Sequence, residues 1–530
     1  MRTPRRSSLP RRASQSGFVL IALIALLAMG GLYFFISNLT PEAIEARRQA
    51  KTDAALMQAR EALIGYALKY RDEEAGQGRL DRMYGYLPLP DLGSDRNINV
   101  SCPGEGCDAN TFTGIAFDAN NIGPTVVGRF PWRTLGTGPL RDGHGECLWL
   151  IVSSLHSRIQ GLNPVLPPMN WDTLGQLDIV TANGTNALSS ALAVHDRPVA
   201  IIFSPGPPLP GQDRSNPGGP DVSECGGNYN AANYLDPAVA AALAGITNYL
   251  AGTNNASGVT GDSDISNDPD DAQKKDLSLQ GAVFKSGANY LPGGCTGAGC
   301  ELLANDKGLP ITSDILFGAL RKSSSFRTDI NSMLDRMSAC VQDKIAAGNS
   351  ITAAKIASDG CYDDSKDPQG YFSHYKDQVF VASGAFSGTV DNAATAGCAG
   401  TLVFAGQRQP GQRRVTVAEK ALASSYLESP NVSIFDGGGG LVFSGHGQFK
   451  SLASGQTAHQ DIVRCIPAGA SMVTAPSALP VGSELSQYDP VTRTVTLGRV
   501  NVESDQGYDA SRLFGCAWTP GVRAMGSGFR

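Results

Sequence analysis

The sequence is short of charge. Only 17% of its 530 residues are Asp, Glu, Lys or Arg, against roughly 25% in an ordinary soluble domain. The net charge is −6, and no run of basic residues follows the first dozen positions. A basic face that binds nucleic acid is therefore not expected.

Catalytic motifs are absent as well. The chain has no Gly-x-Ser-x-Gly elbow, no His-Glu-x-x-His pair and no glycine-rich Lys-Ser/Thr loop, and its six histidines are scattered. Such motifs bring a nucleophile to its base or a metal to its ligands. Their absence favours a protein that is not an enzyme and that requires no cofactor.

Turn-forming residues are plentiful, with 62 glycines and 31 prolines. They predict many loops and make an all-helical bundle improbable. At about 150 residues per domain, the length corresponds to three or four domain-sized units.

The N-terminus combines a basic leader with an apolar run. Five arginines and no acid precede residue 18, and residues 18–36 carry no charged side chain. As a helix this run would be about 28 Å long, close to the ~30 Å apolar thickness of a bilayer. The sequence predicts a membrane-spanning helix, with the arginines in the cytoplasm and the rest of the chain outside. A cleaved secretory signal, a plain anchor and a prepilin-type leader compete as interpretations.

The boundary between leader and apolar run favours the third interpretation. The leader ends at Ser16-Gly17, and Phe18 opens the apolar run. This junction resembles that of type IV prepilins and type II secretion pseudopilins. The resemblance implies cleavage between Gly17 and Phe18 by a prepilin peptidase and methylation of the new Phe18 amine. It also implies assembly with other pilins or pseudopilins on an inner-membrane platform.

A second helix is predicted directly afterwards. Thr40 is a candidate N-cap, Pro41 suits the first helical turn, and Glu42 suits the helix N-terminus. Apolar residues then recur at three- and four-residue steps, at Leu56, Ala59, Leu63, Tyr66, Ala67 and Tyr70. The pattern resembles the long N-terminal helix of pilins, whose second half lies on a β-sheet.

One position departs from the family. Ala22, the fifth residue counted from Phe18, stands where most members carry a glutamate. A carboxylate there would pair with the terminal amine of a neighbouring subunit, since a buried charge needs a partner. Its absence, together with the large size of the chain, implies a minor subunit near the filament tip.

Three motifs further along resemble landmarks of large pseudopilin-like proteins. They are residues 85–91, residues 130–136 and residues 142–145. Their Pro-x-Pro-Asp and Asp-Gly-x-Gly sequences are turn chemistry, and Trp132 is most simply a core anchor. We interpret all three as structural.

The sequence also repeats itself once. An apolar strand, residues 201–204, precedes a Pro-Gly-Gln-x-Arg turn that ends at Arg214, with Tyr-Leu-acid further on; residues 402–405 precede the same turn at Arg414. The recurrence predicts two related β-rich units, with an insertion in one of them. Arg214 and Arg414 could bind an anion, but bonding to nearby carbonyls or a carboxylate is the favoured role.

A polar, acidic segment at 253–275 is the predicted linker between the units. Asp262, Asp264 and Asp268 lie within it at spacings like the start of a calcium loop. The glycine and distal glutamate of an EF-hand are missing. A solvated linker is therefore favoured, and calcium is the one candidate cofactor.

The eleven cysteines suit an exported protein. Local disulfides are the simplest account of the two Cys-x4-Cys pairs, Cys102 with Cys107 and Cys295 with Cys300, and Cys340 with Cys361 is a plausible third. Zinc is disfavoured because Cys-x2-Cys spacing is absent. The odd total leaves at least one thiol free or intermolecular.

Together these observations predict an α+β protein with a long N-terminal membrane-spanning helix and a large, β-rich, loop-rich periplasmic region of two related units. The predicted segments are a leader (1–17), a pilin-like helix (18–75), a first unit (76–252), a linker (253–275) and a second unit (276–530). The expected function is a minor pilin or pseudopilin that joins or caps a type IV pilus or a type II secretion pseudopilus. The expected location is the inner membrane, single-pass, or the pilus or cell surface after assembly. An anchored periplasmic enzyme or binding protein, or a surface adhesin exported by the pilus route, is the alternative.

Overall fold

The structure is a computed structural model. It describes residues 16–37, 40–76, 82–93, 102, 104–109, 126–158, 168–175, 177–180, 197–215, 222–235, 275–278, 283–287, 289–292, 295, 297–356, 360–361, 367, 369–469, 488–489 and 494–495.

Two helices open the described chain. Helix α1 spans Ser16–Ser37 and helix α2 spans Pro41–Gly76. Thr40 caps α2, because its hydroxyl oxygen accepts a hydrogen bond from the Ala43 amide at 3.2 Å. The predicted cap and first-turn proline are thus confirmed.

The prediction of a membrane-spanning helix is wrong for the described residues, where no helix is long and apolar enough to cross a bilayer. The predicted single-pass location in the inner membrane depended on that helix, so this prediction is wrong as well.

Helix α2 packs on an antiparallel sheet of four strands. The strands are β1 (Val126–Arg129), β2 (Trp149–Val152), β4 (Pro198–Ser204) and β9 (Lys307–Thr312), in the order β1-β2-β4-β9. Trp149 lies opposite Phe203 in the register of β2 and β4. We call α2 with this sheet the first half of the molecule.

The second half repeats this arrangement. Its strands are β10 (Ala354–Lys355), β11 (Val379–Val390), β12 (Ala393–Phe404) and β14 (Ile462–Ile466), again antiparallel neighbours in chain order. Helix α4 (Ser324–Ala346) packs on β12 and β14. Helix α3 (Ser313–Leu320) follows β9 and packs against α2. Each half therefore has a helix packed on four antiparallel strands, and the second sheet has a fifth strand, β13 (Val442–Gly445), which pairs in parallel with β11.

Shorter elements complete the described chain. Strands β3 (Leu177–Val180) and β5 (Lys275–Ser278) pair in parallel; β6 (Val283–Ser286) pairs with β7 (Asn289–Pro292) and β8 (Cys300–Ala304); β13 (Val442–Gly445) joins β11; β15 (Tyr488–Asp489) pairs with β16 (Thr494–Val495). Three short helices are α5 (Tyr371–Tyr375), α6 (Val417–Ala421) and α7 (Val432–Phe435).

One hydrophobic core joins the two halves. It contains Leu63 from α2, Ile202 from the first sheet, Leu334 from α4 and Leu402 from the second sheet. The outer face of each sheet carries a separate cluster, around Trp149 in the first half and Phe380 in the second. The helices thus lie between the sheets, and most core burial involves both halves.

The region after residue 276 has mixed helix and strand content rather than the predicted β-rich content. Its 23-residue helix α4 is N-capped by Ser323, and its apolar residues from Phe326 to Val341 recur at helical spacing. Strand β9 lies beyond the predicted linker, yet it belongs to the first sheet. Residues 253–274 lie outside the described part of the chain, so the linker stays a prediction.

Five disulfides link described cysteines. Three are the pairs named from spacing: Cys102–Cys107, Cys295–Cys300 and Cys340–Cys361. Two others, Cys147–Cys225 and Cys398–Cys465, join residues 78 and 67 positions apart. Cys516, the eleventh cysteine, lies outside the described residues.

Candidate functional site

The N-terminal helices form the first candidate surface. On α2, Leu56, Ala59, Leu63, Ala67 and Tyr70 are buried, and Tyr66 is partly buried against the same core. The predicted apolar positions therefore make the face that lies on the first sheet. Burial raises the pKa of Tyr66 above its usual range, so its hydroxyl stays protonated.

The 142–145 motif fastens the first sheet to α2. Asp142 shapes the turn by accepting hydrogen bonds from the amides of His144 and Glu146 at 2.8 and 3.0 Å. The Gly143 amide donates to Thr52 of α2 at 2.9 Å, and a Cβ at Gly143 would lie 2.2 Å from the Arg48 carbonyl oxygen. Only glycine allows this approach, so the motif is structural, as predicted.

The 85–91 and 130–136 motifs are also structural. Asp91 accepts hydrogen bonds from the Gly93 amide, the Gly106 amide and the Tyr229 hydroxyl at 2.7–3.0 Å. Trp132 packs partly buried against the core and covers Gly106, where a Cβ would meet its ring.

Helix α1 has a different environment. Eight of its apolar side chains are 55–76% exposed: Leu20, Ile21, Leu23, Ile24, Leu26, Leu27, Met29 and Tyr33. Large apolar side chains exposed together mark a surface that binds another apolar surface. Gly17 and Phe18, the predicted processing residues, lie in the first turn of this helix.

The repeated arginine turns have the same hydrogen bonds in both halves. In the first half, Gln212 accepts from the Leu209 amide at 2.8 Å, and Arg214 donates to the Gly206 carbonyl at 2.7 Å. The Arg214 guanidinium lies 4.8 Å from the centroid of the Tyr234 ring.

In the second half, Gln412 accepts from the Gln409 amide at 2.8 Å, and Arg414 donates to the Gly406 carbonyl at 3.0 Å. The Arg414 guanidinium lies 4.6 Å from the Tyr426 ring centroid. The recurrence in the sequence is thus a recurrence of contacts.

The two arginines differ in their acidic partners. Arg214 pairs at 3.2 Å with Glu146 of its own half, whereas Arg414 pairs at 3.1 Å with Asp172, which lies between β2 and β4 of the first half. Because carbonyls and carboxylates occupy both guanidinium groups, a structural role is favoured over anion binding.

A short strap, residues 168–175, carries Asp172 into the second half. Trp171 packs there among Phe317, Tyr375, Phe404 and Phe449, with ring centroids 5.3–6.3 Å away. The strap also bonds to His374: the imidazole Nδ1 accepts from the Met169 amide at 2.8 Å, and the carbonyl accepts from Asn170. It lies in the predicted insertion, since the equivalent connection between β11 and β12 is the two-residue turn Asp391–Asn392.

A buried polar cluster connects α2 to the second half at another point. Asp329 of α4 accepts a hydrogen bond from the Tyr371 hydroxyl at 2.7 Å, and Arg71 Nε of α2 lies 3.8 Å from the same carboxyl oxygen. Burial raises the pKa of Asp329 to about 7. Sequence patterns gave no sign of this cluster, because its members are far apart in the chain.

One carboxylate–imidazole pair lies at the surface of the second half. His446 Nδ1 is 2.7 Å from Asp391, and its Nε2 is 3.1 Å from Gln460. The His446 hydrogen bond holds the pKa of Asp391 down, at about 2. The Ser444 hydroxyl bonds to Thr389 instead. Because both ring nitrogens are engaged and the serine is elsewhere, the group lacks the geometry of a nucleophile with its base.

A groove of about 980 Å³ follows the solvent face of α4. Its lining includes Asp335, Asp343, Lys344, Phe372 and the Cys340–Cys361 disulfide. Asp335 is paired with Arg464 and Arg336 with Asp367, at 3.0 and 2.8 Å. These pairings leave no concentrated charge of one sign.

The candidate calcium residues Asp262, Asp264 and Asp268 lie outside the described part of the chain, so calcium stays a prediction. Among the described residues, no group of three or more His, Cys, Asp or Glu side chains could hold a metal ion.

Comparison with known proteins identifies no relative: no family model, no curated protein and no solved structure matches this chain.

Proposed function

We propose that this chain is a minor pilin-like or pseudopilin-like subunit, which joins a filament through its N-terminal helices. The observation that carries the proposal is the contrast between those helices. Helix α2 buries its apolar face on the first sheet, whereas the preceding helix α1 leaves its apolar side chains uncovered. An exposed apolar helix is suited to packing with the same helix of neighbouring subunits.

Two further features support the proposal. The Gly17/Phe18 junction resembles a prepilin processing site, and five disulfides fit an oxidising compartment outside the cytoplasm. The lack of a glutamate at Ala22 and the presence of a whole second half support a position at the filament tip. Its partners would be a prepilin peptidase, other pilins or pseudopilins and their assembly platform.

The N-terminus of the purified protein tests the processing step. We expect mass spectrometry to find a chain that begins at methylated Phe18 in cells that contain a prepilin peptidase. Gly17→Leu should block cleavage, whereas the neighbouring substitution Ser16→Ala should not. An intact Met1 in the wild-type protein would overturn the proposal.

Photo-crosslinking tests the assembly step. A photoreactive residue at Leu27 of α1, which is 69% exposed, should link the protein to other filament subunits. The same residue at Leu452, on the second half, is the control and should give no such product. Equal crosslinking from both sites would argue against α1 as the assembly surface.

A further inference from the structure

Asp329 is a buried acid with incomplete compensation at the contact between the halves. It is 0% exposed. Its Oδ2 accepts the Tyr371 hydroxyl, but its Oδ1 has no hydrogen-bond partner within the described structure. A fully buried carboxylate with one unpaired oxygen costs free energy unless a proton neutralises it.

The surrounding groups do not supply full compensation. From α2, Arg71 lies 3.8 Å away and Asp72 adds repulsion; from α4 itself, Arg336 adds weak attraction. Tyr84 donates its hydroxyl hydrogen to Asp72 at 2.7 Å. Arg71 directs its terminal nitrogens to the carbonyls of Arg82 and Gln369. The balance favours the neutral form, and burial accordingly raises the pKa of Asp329.

The cluster also has a mechanical position. Arg71 lies one turn from the end of α2 at Gly76, and its bonds reach Arg82 beyond the helix and Gln369 beside α5. The end of α2 is therefore held to the second half through groups that surround one titratable carboxyl.

We propose that Arg71, Asp329 and Tyr371 form a proton-controlled latch, which fixes the C-terminal end of α2 to the second half and loosens as the solution goes from acidic to neutral. In the closed latch Asp329 is protonated; when the latch opens, water restores an ordinary carboxyl that ionises near pH 4. Closing therefore takes up one proton between about pH 4 and pH 7. Over that interval the open fraction rises up to tenfold per pH unit, and it levels off above it.

Hydrogen–deuterium exchange of the full-length protein measures this opening. Amides in residues 63–73 and 326–336 should show opening constants, corrected for intrinsic exchange, that rise between pH 5 and 7. In Asp329→Asn the same amides should show no rise, because the amide cannot titrate yet still accepts from Tyr371. A flat profile in the wild-type protein, or an unchanged rise in Asp329→Asn, would overturn the proposal.

Two further variants make the test specific. Asp461→Asn removes another buried carboxyl, one that contacts Asn431 and the Glu428 amide rather than α2, and it should leave the rise intact. Tyr371→Phe removes the hydrogen bond that favours ionised Asp329, so the pH at which the opening constant levels off should be higher. If Asp329→Asn does not fold, Tyr371→Phe is the deciding variant. An opening constant that levels off at the same pH as in the wild-type protein would then overturn the proposal.

Discussion

His156 is fully buried in the 3₁₀ turn Ser154–His156, and neither of its ring nitrogens has a hydrogen-bond partner among the described residues. Burial lowers the pKa of His156 to about 3. The folded protein therefore keeps this imidazole neutral, whereas the unfolded chain binds a proton near the ordinary pKa of 6.5.

This difference predicts a loss of stability in acid. Below about pH 6.5 the unfolded state binds the extra proton, so the free energy of unfolding falls by up to about 1.4 kcal/mol per pH unit until pH about 3. His156→Phe should remove this component, measured as the difference between variant and wild-type denaturation curves from pH 7 to pH 4. His144→Phe, at an exposed position, is the control, and an equal effect from it would contradict the assignment.

The burial of individual polar side chains was the hardest property to predict from the sequence. Trp132 was expected in the core and is partly buried there, whereas the buried carboxyls Asp329 and Asp461 resemble any surface acid in the sequence. Whether an acid is buried depends on elements distant in the chain. Local patterns carry no record of them.

At the scale of elements, the repeated turns offer a matched comparison. Arg414 is fully buried, and its partner Asp172 is 12% exposed; Glu146, the partner of Arg214, is 27% exposed. Removing Arg414 takes the ion-pair partner from a largely buried carboxylate, which among the described residues keeps only its hydrogen bond from Gln378, whereas Glu146 can turn to water. We expect Arg414→Ala to cost about 3–5 kcal/mol and Arg214→Ala about 1–2 kcal/mol, measured by urea unfolding. The reverse order would refute this account of the turns.

The strap gives a second prediction at this scale. Trp171 is nearly fully buried among four aromatic rings. Trp171→Ala should lower the free energy of unfolding by about 3–5 kcal/mol. Chemical denaturation checks this figure, with Val417→Ala, at an exposed residue, as the control. A loss below 1 kcal/mol would mean that the strap is only loosely attached.

Elements with a strong local signature were predictable. The start of α2 follows from Thr40 and Pro41, and the two Cys-x4-Cys disulfides follow from spacing. Helix α4 and the Cys147–Cys225 bridge were not foreseen. The first lies in a region that the internal repeat predicted to be β-rich, and the second joins residues 78 positions apart.

At the scale of the whole molecule, the shared core sets the cooperativity of unfolding. Because α2, α4 and both sheets bury side chains in one cluster, neither half can lose its packing without exposing the other. We expect a single transition at which tryptophan fluorescence and far-UV circular dichroism coincide, with the disulfides kept oxidised. Two separated transitions would show that the halves fold independently.

The overall arrangement was only partly predictable. The repeat was visible in the sequence, since the Gly-Gln-x-Arg turn needs the same residues in each copy. The packing of the two copies against each other was not predictable from the sequence. It depends on the strap and on β9, which follows the predicted linker in the chain yet pairs within the first sheet. The membrane-spanning helix was an expectation from apolar length, and the described residues do not support it.

The strap has a consequence for how such a protein could grow by duplication. A repeat protein can be extended by further copies when each copy presents the same interface to the next one. Here the interface between the copies depends on the strap, which is an insertion between β2 and β4 of the first copy. The second copy lacks it, because its equivalent strands β11 and β12 are joined by the turn Asp391–Asn392. A third copy placed after the second would have no equivalent of Trp171 to pack against, because the second copy has no strap. The contact between the two copies therefore has a fixed direction, because the first copy supplies Trp171 and the second supplies Tyr375 and Phe404 around it.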